Sequence, residues 1–388
     1  MRVGILTHAY PRHDGDVAGA FLERLALGLV ARGHAVHVVA PADAGKGGAE
    51  VRHRVTVTRV RYAPAGSETL AYTGMMLAAL RSPAGLVWFG SLVWRQARAM
   101  RSLWAAERLD VVHAHWWVPG GLSAWLARRP YVVTLHGMDV VLIERWAAAR
   151  VLARRVLRGA AAVTAVSSDL ADRAARAVAF DRDRIVVQPM PIEGGRFTRT
   201  SRGGGGIVTV GRLMPRKRLD LLLDALALLR ARGRTYPLTI IGDGPERARL
   251  ERYVAELRLT DQVRFVGAVP PERVAAAIGD ADVFAFPALG EGFGLAAAEA
   301  LVLGVPVMAT RDGGGVTDIV PPSGGGRLVA PDVGEIARAI EELVADPGAR
   351  GLAAAAGAAL RQRLEPAAVA EHFEAVYQRV ATRSPPGT

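Results

Sequence analysis

The chain has 388 residues, carries 49 Lys and Arg against 37 Asp and Glu for a formal charge of +12, is 51% apolar and 22% charged, and contains no cysteine. That length supports two or three domains with real cores, and the composition excludes a mainly disordered chain. The absence of thiols excludes disulfides, thiolate catalysis and cysteine-based zinc or iron–sulfur sites.

The first residues, MRVGILTHAYPRH, hold one short apolar run and no small-residue cleavage pattern, so no secretory leader is expected. The longest apolar stretch, residues 69–94, is broken by Arg81, Ser82 and Pro83 into pieces too short to span a bilayer. The expectation is a cytoplasmic chain that is not an integral membrane protein.

Apolar runs at 2–8, 35–40, 56–61, 111–115, 131–136, 161–166 and 185–188 predict strands, several of them continuous Val, Ile and Ala as in doubly covered parallel sheets. Helices fit between them, for example 18–32, closed by Gly33, and 146–157. Pro189, Pro191, Gly194, Gly195 and the RTSRGGGG run at 199–206 then predict an interdomain connection. The alternation restarts with strands at 207–210, 238–241, 263–266, 283–286, 305–309 and 327–329 and helices at 219–230, 246–256 and 295–303, and is helical after Asp332. The fold class expected is α/β: two Rossmann-like, doubly wound domains, 1–190 and 191–365, facing each other across a cleft, with ligands at the carboxyl ends of the strands.

The charge is uneven. Residues 1–190 have a balance of +11 and residues 191–388 of +1, and residues 51–100 hold seven arginines against Glu68 alone. Two readings stay open: a solvated basic face, or a face that meets an anionic membrane surface or a phosphate-bearing acceptor. Nucleic acid is not expected as a partner, because no nucleic-acid module accompanies the charge.

Three stretches carry chemistry. In FPALGEGFGLAAAEALVLGVP (286–306), Glu291, Gly292, Phe293 and Gly294 lie on a loop between a strand and a helix starting at Leu295, and Glu299 lies about one turn into that helix. The glycines admit a ligand close to the backbone, and the free amides of the helix start form an anion site. Acids beside an anion site suit a ligand that has both phosphate and sugar hydroxyls, although either acid alone could be a cap or a surface residue. In GRLMPRKR (211–218), Arg212 and Lys217 follow Gly211 at a strand end and can hold a diphosphate together. Lys217 is one of only two lysines, Lys46 being the other. The tight turn around Gly242 in IGDGP is the weakest of the three.

Three other patterns have bland readings. Asp280 and Asp282 spell the Asp-x-Asp of metal-dependent transferases but precede a buried strand. His113 and His115 share a strand face with no evident third ligand. The tryptophans 88, 94, 104, 116, 117 and 125 line either the core, the favoured reading, or an acceptor groove.

Residues 211–226, 241–251, 263–270, 282–310 and 372–377 together resemble the donor domain of the retaining glycosyltransferases of family 4, of GT-B fold. Residues 10–41, 110–127 and 132–139 resemble its acceptor domain. The linker Gln188-Pro189-Met190-Pro191 departs from the Asn-Gly pair of many members. The resemblance implies that Glu291 binds hydroxyls of the transferred sugar, Glu299 the ribose, and Arg212 and Lys217 the diphosphate, with backbone amides of Phe293, Gly294 and Leu295 adding to that clamp. It implies that His136 contacts the donor sugar, that Gly15 or, preferably, Gly19 meets the donor phosphate, that Val269 touches the base through its backbone, and that a helix at about 366–382 returns to the first domain. The implied activity is metal-independent, retaining transfer of a hexose from a UDP- or GDP-sugar to a glycan, lipid-linked or small-molecule acceptor, with no other cofactor. An inactive sugar-nucleotide-binding or scaffolding protein of the same fold is the alternative. A pyridoxal-dependent phosphorylase is set aside, since Lys217 suits phosphate better than a Schiff base.

Overall fold

A computed structural model describes residues 1–72, 76–192, 203–321 and 324–383. Gly194, Gly195 and residues 199–202 of the expected connection lie outside these. The chain divides into two compact units, Met1–Pro191 with Glu365–Thr388, and Ile192–Leu364.

In the N-terminal unit the elements run β1 (Arg2–Leu6), α1 (Ala20–Ala31), β2 (Ala35–Pro41), β3 (Gly48–Arg52), β4 (Val55–Val60), α2 (Met76–Ala79), α3 (Pro83–Glu107), β5 (Val111–His115), α4 (Leu122–Ala127), β6 (Tyr131–Leu135), α5 (Met138–Arg145), α6 (Ala147–Gly159), β7 (Ala162–Ala165), α7 (Ser168–Val178) and β8 (Ile185–Val187). The sheet order is β3-β4-β2-β1-β5-β6-β7-β8. All pairs are parallel except β3 with β4. β5 and β6 are buried along their whole length, which is why they read as continuous apolar runs. β3 escaped the sequence reading because its exposed GAEVR carries no strand periodicity; pairing with β4 alone makes it a strand.

The C-terminal unit runs β9 (Ile207–Val210), α8 (Leu219–Ala231), β10 (Leu238–Ile241), α9 (Arg247–Glu256), β11 (Val263–Gly267), α10 (Pro271–Asp280), β12 (Val283–Phe286), α11 (Leu295–Val302), β13 (Val307–Thr310), β14 (Gly326–Val329), α12 (Val333–Ala345) and α13 (Ala349–Leu364). Its sheet is parallel, in the order β11-β10-β9-β12-β13-β14. Leu222, Leu223, Leu226 and Leu229 of α8 and Ile336 and Ile340 of α12 are buried over this sheet, each contributing about 1.5–3 kcal/mol relative to exposure. Both units are therefore Rossmann-like α/β layers, with the loops that follow β9, β10, β11 and β12 gathered at one sheet edge.

The last helix, α14 (Pro366–Arg383), packs on α1 of the N-terminal unit. Gly28 makes the approach feasible: a Cβ there would drive into the carbonyl of Pro366. Phe373 and Tyr377 of α14 are fully buried.

Candidate active site

In the C-terminal unit the strand ends draw the candidate residues together. Gly211 donates to the carbonyl of Ile241 (3.0 Å), and Gly242 donates to that of Gly267 (2.8 Å). Gly242 has φ 128°. A Cβ on it would collide with the carbonyl oxygen of Gly211, so the close approach of these two turns requires glycine. Val269 follows β11 on the adjoining loop and is half-buried.

The cationic turn leans over the β12 loop. Leu289 donates to the carbonyl of Arg216 (2.8 Å), which joins the two loops through the backbone. Lys217 Nζ stands 2.9 Å and Arg216 Nη1 2.8 Å from Glu291 Oε1. Lys217 also lies 5.2 Å over the ring of Phe286, whose face favours a cation. Arg212 is exposed on the same turn.

Glu291 is pinned at its backbone. It donates to Gly313 (3.0 Å) and accepts from Gly315 (2.9 Å). Gly294, at φ 90°, caps α11, whose Ala297 and Ala298 amides turn back to its carbonyl at 2.9 and 3.1 Å. The amide of Leu295 precedes these and projects from the positive end of the helix, beside Gly292 and the buried Phe293. Glu299 is half-buried on the second turn of α11.

Two contributors were missed from sequence. Arg216, one more cation of GRLMPRKR in the sequence, touches Glu291. Arg218 is the larger omission. Its guanidinium is bidentate to Asp312 (2.9 and 2.6 Å) and donates to the carbonyls of Pro287 (3.0 Å) and Ala288 (3.3 Å), bracing the loop that carries Glu291. The contact holds the Asp312 carboxyl below the usual carboxylate range. The run Arg-Lys-Arg shows three cations, but only the left-handed backbone at Arg218 (φ 47°) turns this one away from its neighbours.

In the N-terminal unit His136 follows β6. Its amide and those of Gly137 and Val140 converge on Asp139 Oδ1 at 3.1, 2.8 and 3.1 Å. Burial pushes the Asp139 carboxyl up, against the pull of these amides. The His136 ring packs on Trp116 (centroids 4.4 Å apart) and Phe21 (5.3 Å), and its Nε2 lies 3.0 Å from Nδ1 of His115. Desolvation holds the fully buried His115 and the half-buried His136 well below their ordinary pKa, which favours the neutral imidazole. A neutral His136 can exchange hydrogen bonds with sugar hydroxyls. Gly19 caps α1 at φ 76°, and a Cβ there would lie 2.5 Å from the Ala9 carbonyl, whereas Gly15 faces open space. Close approach therefore demands glycine at position 19, while at position 15 it is the positive φ of 82° that favours it.

The bland patterns find structural uses. Asp282 accepts from the amides of Gly204 (2.7 Å) and Gly206 (3.0 Å), which leaves it poorly suited to a metal. His113 bonds Tyr377 (2.7 Å) and Thr134 (2.6 Å) inside the core. No cluster of metal-ligating side chains occurs among the described residues. Of those six tryptophans only Trp117 is buried as expected; Trp88, Trp104 and Trp116 are half-buried, and Trp94 and Trp125 are exposed, Trp94 on the outward side of α3, whose inner side is filled by Leu92, Val93, Ala97 and Met100.

Two α/β units of this topology, one of them presenting cations, a helix N-terminus and an acid on adjoining strand-end loops, define a GT-B protein built for a nucleotide sugar. The comparisons agree. Residues 202–363 match the model "Glycosyl transferases group 1", and residues 18–191 match "Glycosyl transferase 4-like domain". A 2-deoxystreptamine glucosyltransferase of Streptomyces kanamyceticus is 32% identical over 64% of this chain and 70% of its own length. A GDP-mannose-dependent phosphatidylinositol monomannoside mannosyltransferase of Mycolicibacterium smegmatis is 32% identical over 59% of this chain and 64% of its own. Among solved structures, sucrose-phosphate synthase from Thermosynechococcus elongatus superposes with a TM-score of 0.81 at 23% identity, over 99% of this chain and 100% of that one. Anabaena Alr3699/HepE in complex with UDP-glucose gives 0.70 at 22% identity, over 97% and 99%. The chain belongs to the family 4 glycosyltransferases. Among the described residues, no helix is long and apolar enough to cross a membrane.

Proposed function

We propose that this enzyme transfers a hexose, with retention of anomeric configuration and without a metal, from a UDP- or GDP-sugar to a hydroxyl of a small-molecule, glycan or lipid-linked acceptor. The observation that carries the reading is the convergence of Lys217, Glu291 and the α11 N-terminus on adjoining loops. Arg212, Lys217 and the helix amides supply fixed positive charge where the departing diphosphate gathers negative charge, the task a metal would otherwise perform. Glu291 orients the sugar hydroxyls, Glu299 the ribose, and His136 the sugar from the N-terminal unit.

The acceptor hydroxyl attacks the anomeric carbon on the face the diphosphate leaves. The bond from that carbon to the phosphate oxygen breaks, the bond to the acceptor oxygen forms, and the acceptor's proton passes to the departing phosphate. Relatives named for aminocyclitol and phosphatidylinositol mannoside acceptors support a polyhydroxylated ring as the acceptor class.

Proton NMR of the product made from an α-linked UDP- or GDP-hexose tests the reading. An α-linked product is expected. A β-linked product would remove the retaining assignment. Tight nucleotide binding with no transfer to water or any acceptor would instead favour a sugar-nucleotide-binding scaffold.

A further inference from the structure

The outer face of the helix layer formed by α3, α4 and α6 carries charge that the fold does not use. α6 contains Arg150, Arg154, Arg155 and Arg158 and no acidic residue. At about 100° per residue these four share one side with Val151, opposite the buried Ala153, Val156 and Leu157. Arg150 with Arg154 and Arg154 with Arg158 are like-charged neighbours one turn apart, an arrangement that repels. Among the described residues, none of the four has a carboxylate at ion-pair distance. The acids on the helices packed beside them are engaged elsewhere: Glu144 and Asp169 hold Arg173, and Asp172 holds Arg182. The basic stretch singled out in the sequence behaves differently, since Arg52, Arg59 and Arg61 pair with Asp14, Glu50 and Glu68.

The same face is apolar where it is not charged. α4 packs against both α3 and α6. Arg101 of α3 donates to the carbonyls of Leu126 and Ala127, and the Trp125 indole lies against Gly159. On the outward side of α3, Leu86, Val87 and Trp94 are 56%, 62% and 55% exposed, and the Arg98 guanidinium sits 5.6 Å over the Trp94 ring. Trp146, the residue before α6, and Val151 on it are exposed. A nucleic acid would match the arginines but not the aliphatic side chains. A bilayer with anionic headgroups matches both, phosphates at the arginines and the headgroup–acyl boundary at the tryptophans and aliphatics.

We infer that this face docks the enzyme on anionic membranes. The inference goes beyond the transfer reading, and turnover of soluble donor and acceptor does not depend on it. Flotation with vesicles of phosphatidylcholine, with and without phosphatidylglycerol, tests it. Wild type is expected to float with the anionic vesicles alone and to be released by high salt. Replacing all four α6 arginines, Arg150→Gln through Arg158→Gln, is expected to weaken binding by roughly 10²–10³-fold, since each surface cation contributes roughly 5-fold. Trp94→Ala should weaken it a few-fold while donor turnover stays at the wild-type rate. If the fourfold variant fails to fold, the lipid-charge and salt dependence of the wild type still decide. Equal flotation with neutral vesicles, no flotation, or retention of a mixed-sequence RNA in place of vesicles would overturn the proposal.

Discussion

Lys217 Nζ and Glu291 Oε1 lie 2.9 Å apart on loops whose backbones are joined by the Leu289–Arg216 hydrogen bond. The proposed diphosphate ligand and the proposed sugar-orienting acid therefore share one ammonium group. Because the Glu291 backbone is fixed between Gly313 and Gly315, the adjustment on donor binding falls to the Lys217 and Glu291 side chains.

From this follows an opposite response of binding and catalysis. Glu291→Gln keeps the shape of the side chain and removes the competing charge. Isothermal titration with UDP and GDP is expected to show diphosphate binding tightened a few-fold, while kcat with the sugar nucleotide falls by about 10²-fold or more. Weaker diphosphate binding by this variant would contradict the shared-cation account.

Arg218 acts through the loop rather than on the donor. Arg218→Met strands Asp312 and the carbonyl of Pro287, and should destabilise the C-terminal unit by about 2–3 kcal/mol. Arg218→Lys should restore little of it, because an ammonium cannot reproduce the fork. Urea unfolding of both variants checks this.

Gly242→Ala sets a methyl group against the Gly211 carbonyl at a φ of 128°. A loss of about 3 kcal/mol is expected from the clash and backbone strain, with a weaker affinity for nucleotide as the turns part. Unchanged thermal midpoint and nucleotide affinity would refute the close approach.

Four imidazoles of the N-terminal unit, His113 and His115 fully buried and His8 and His136 half-buried, give a pH dependence. Burial pushes His8 down to about 4 and His113 down to about 3, from an ordinary value of 6.5, and holds His115 and His136 well below it. Below 6.5 the unfolded chain takes protons that the folded chain refuses, so stability is full above that pH and falls as pH drops toward 4, by up to about 1.4 kcal/mol per pH unit for each imidazole. Asp139, raised in the fold, opposes part of the loss. Denaturant midpoints measured across this window should decline on the acid side, and less steeply in His8→Phe.

Much of this architecture was legible. Strands such as β5 and β6 are buried on both faces, so their apolar runs stand out, and Gly242 and Gly294 mark turns that demand a positive φ. What stayed hidden depends on which groups pair with which, near in the chain or far along it. β3 is a strand only because β4 lies beside it. The arginines at 52, 59 and 61 looked like a free basic patch, yet acids at 14, 50 and 68 neutralise them. The unpaired arginines of α6 drew no attention, because a sequence shows charge but not which charges are already matched. Arg218 is one more cation of GRLMPRKR in the sequence, since its partners at 287, 288 and 312 come from two loops 69 to 94 residues away.

The most direct test of the central claim is turnover of labelled UDP- and GDP-hexoses by wild type and Lys217→Ala side by side. The account predicts sugar transfer by the wild type with one of these donors and a kcat/KM lower by roughly 10²–10³ in the variant. Near-normal transfer by Lys217→Ala would contradict the diphosphate clamp on which the assignment depends.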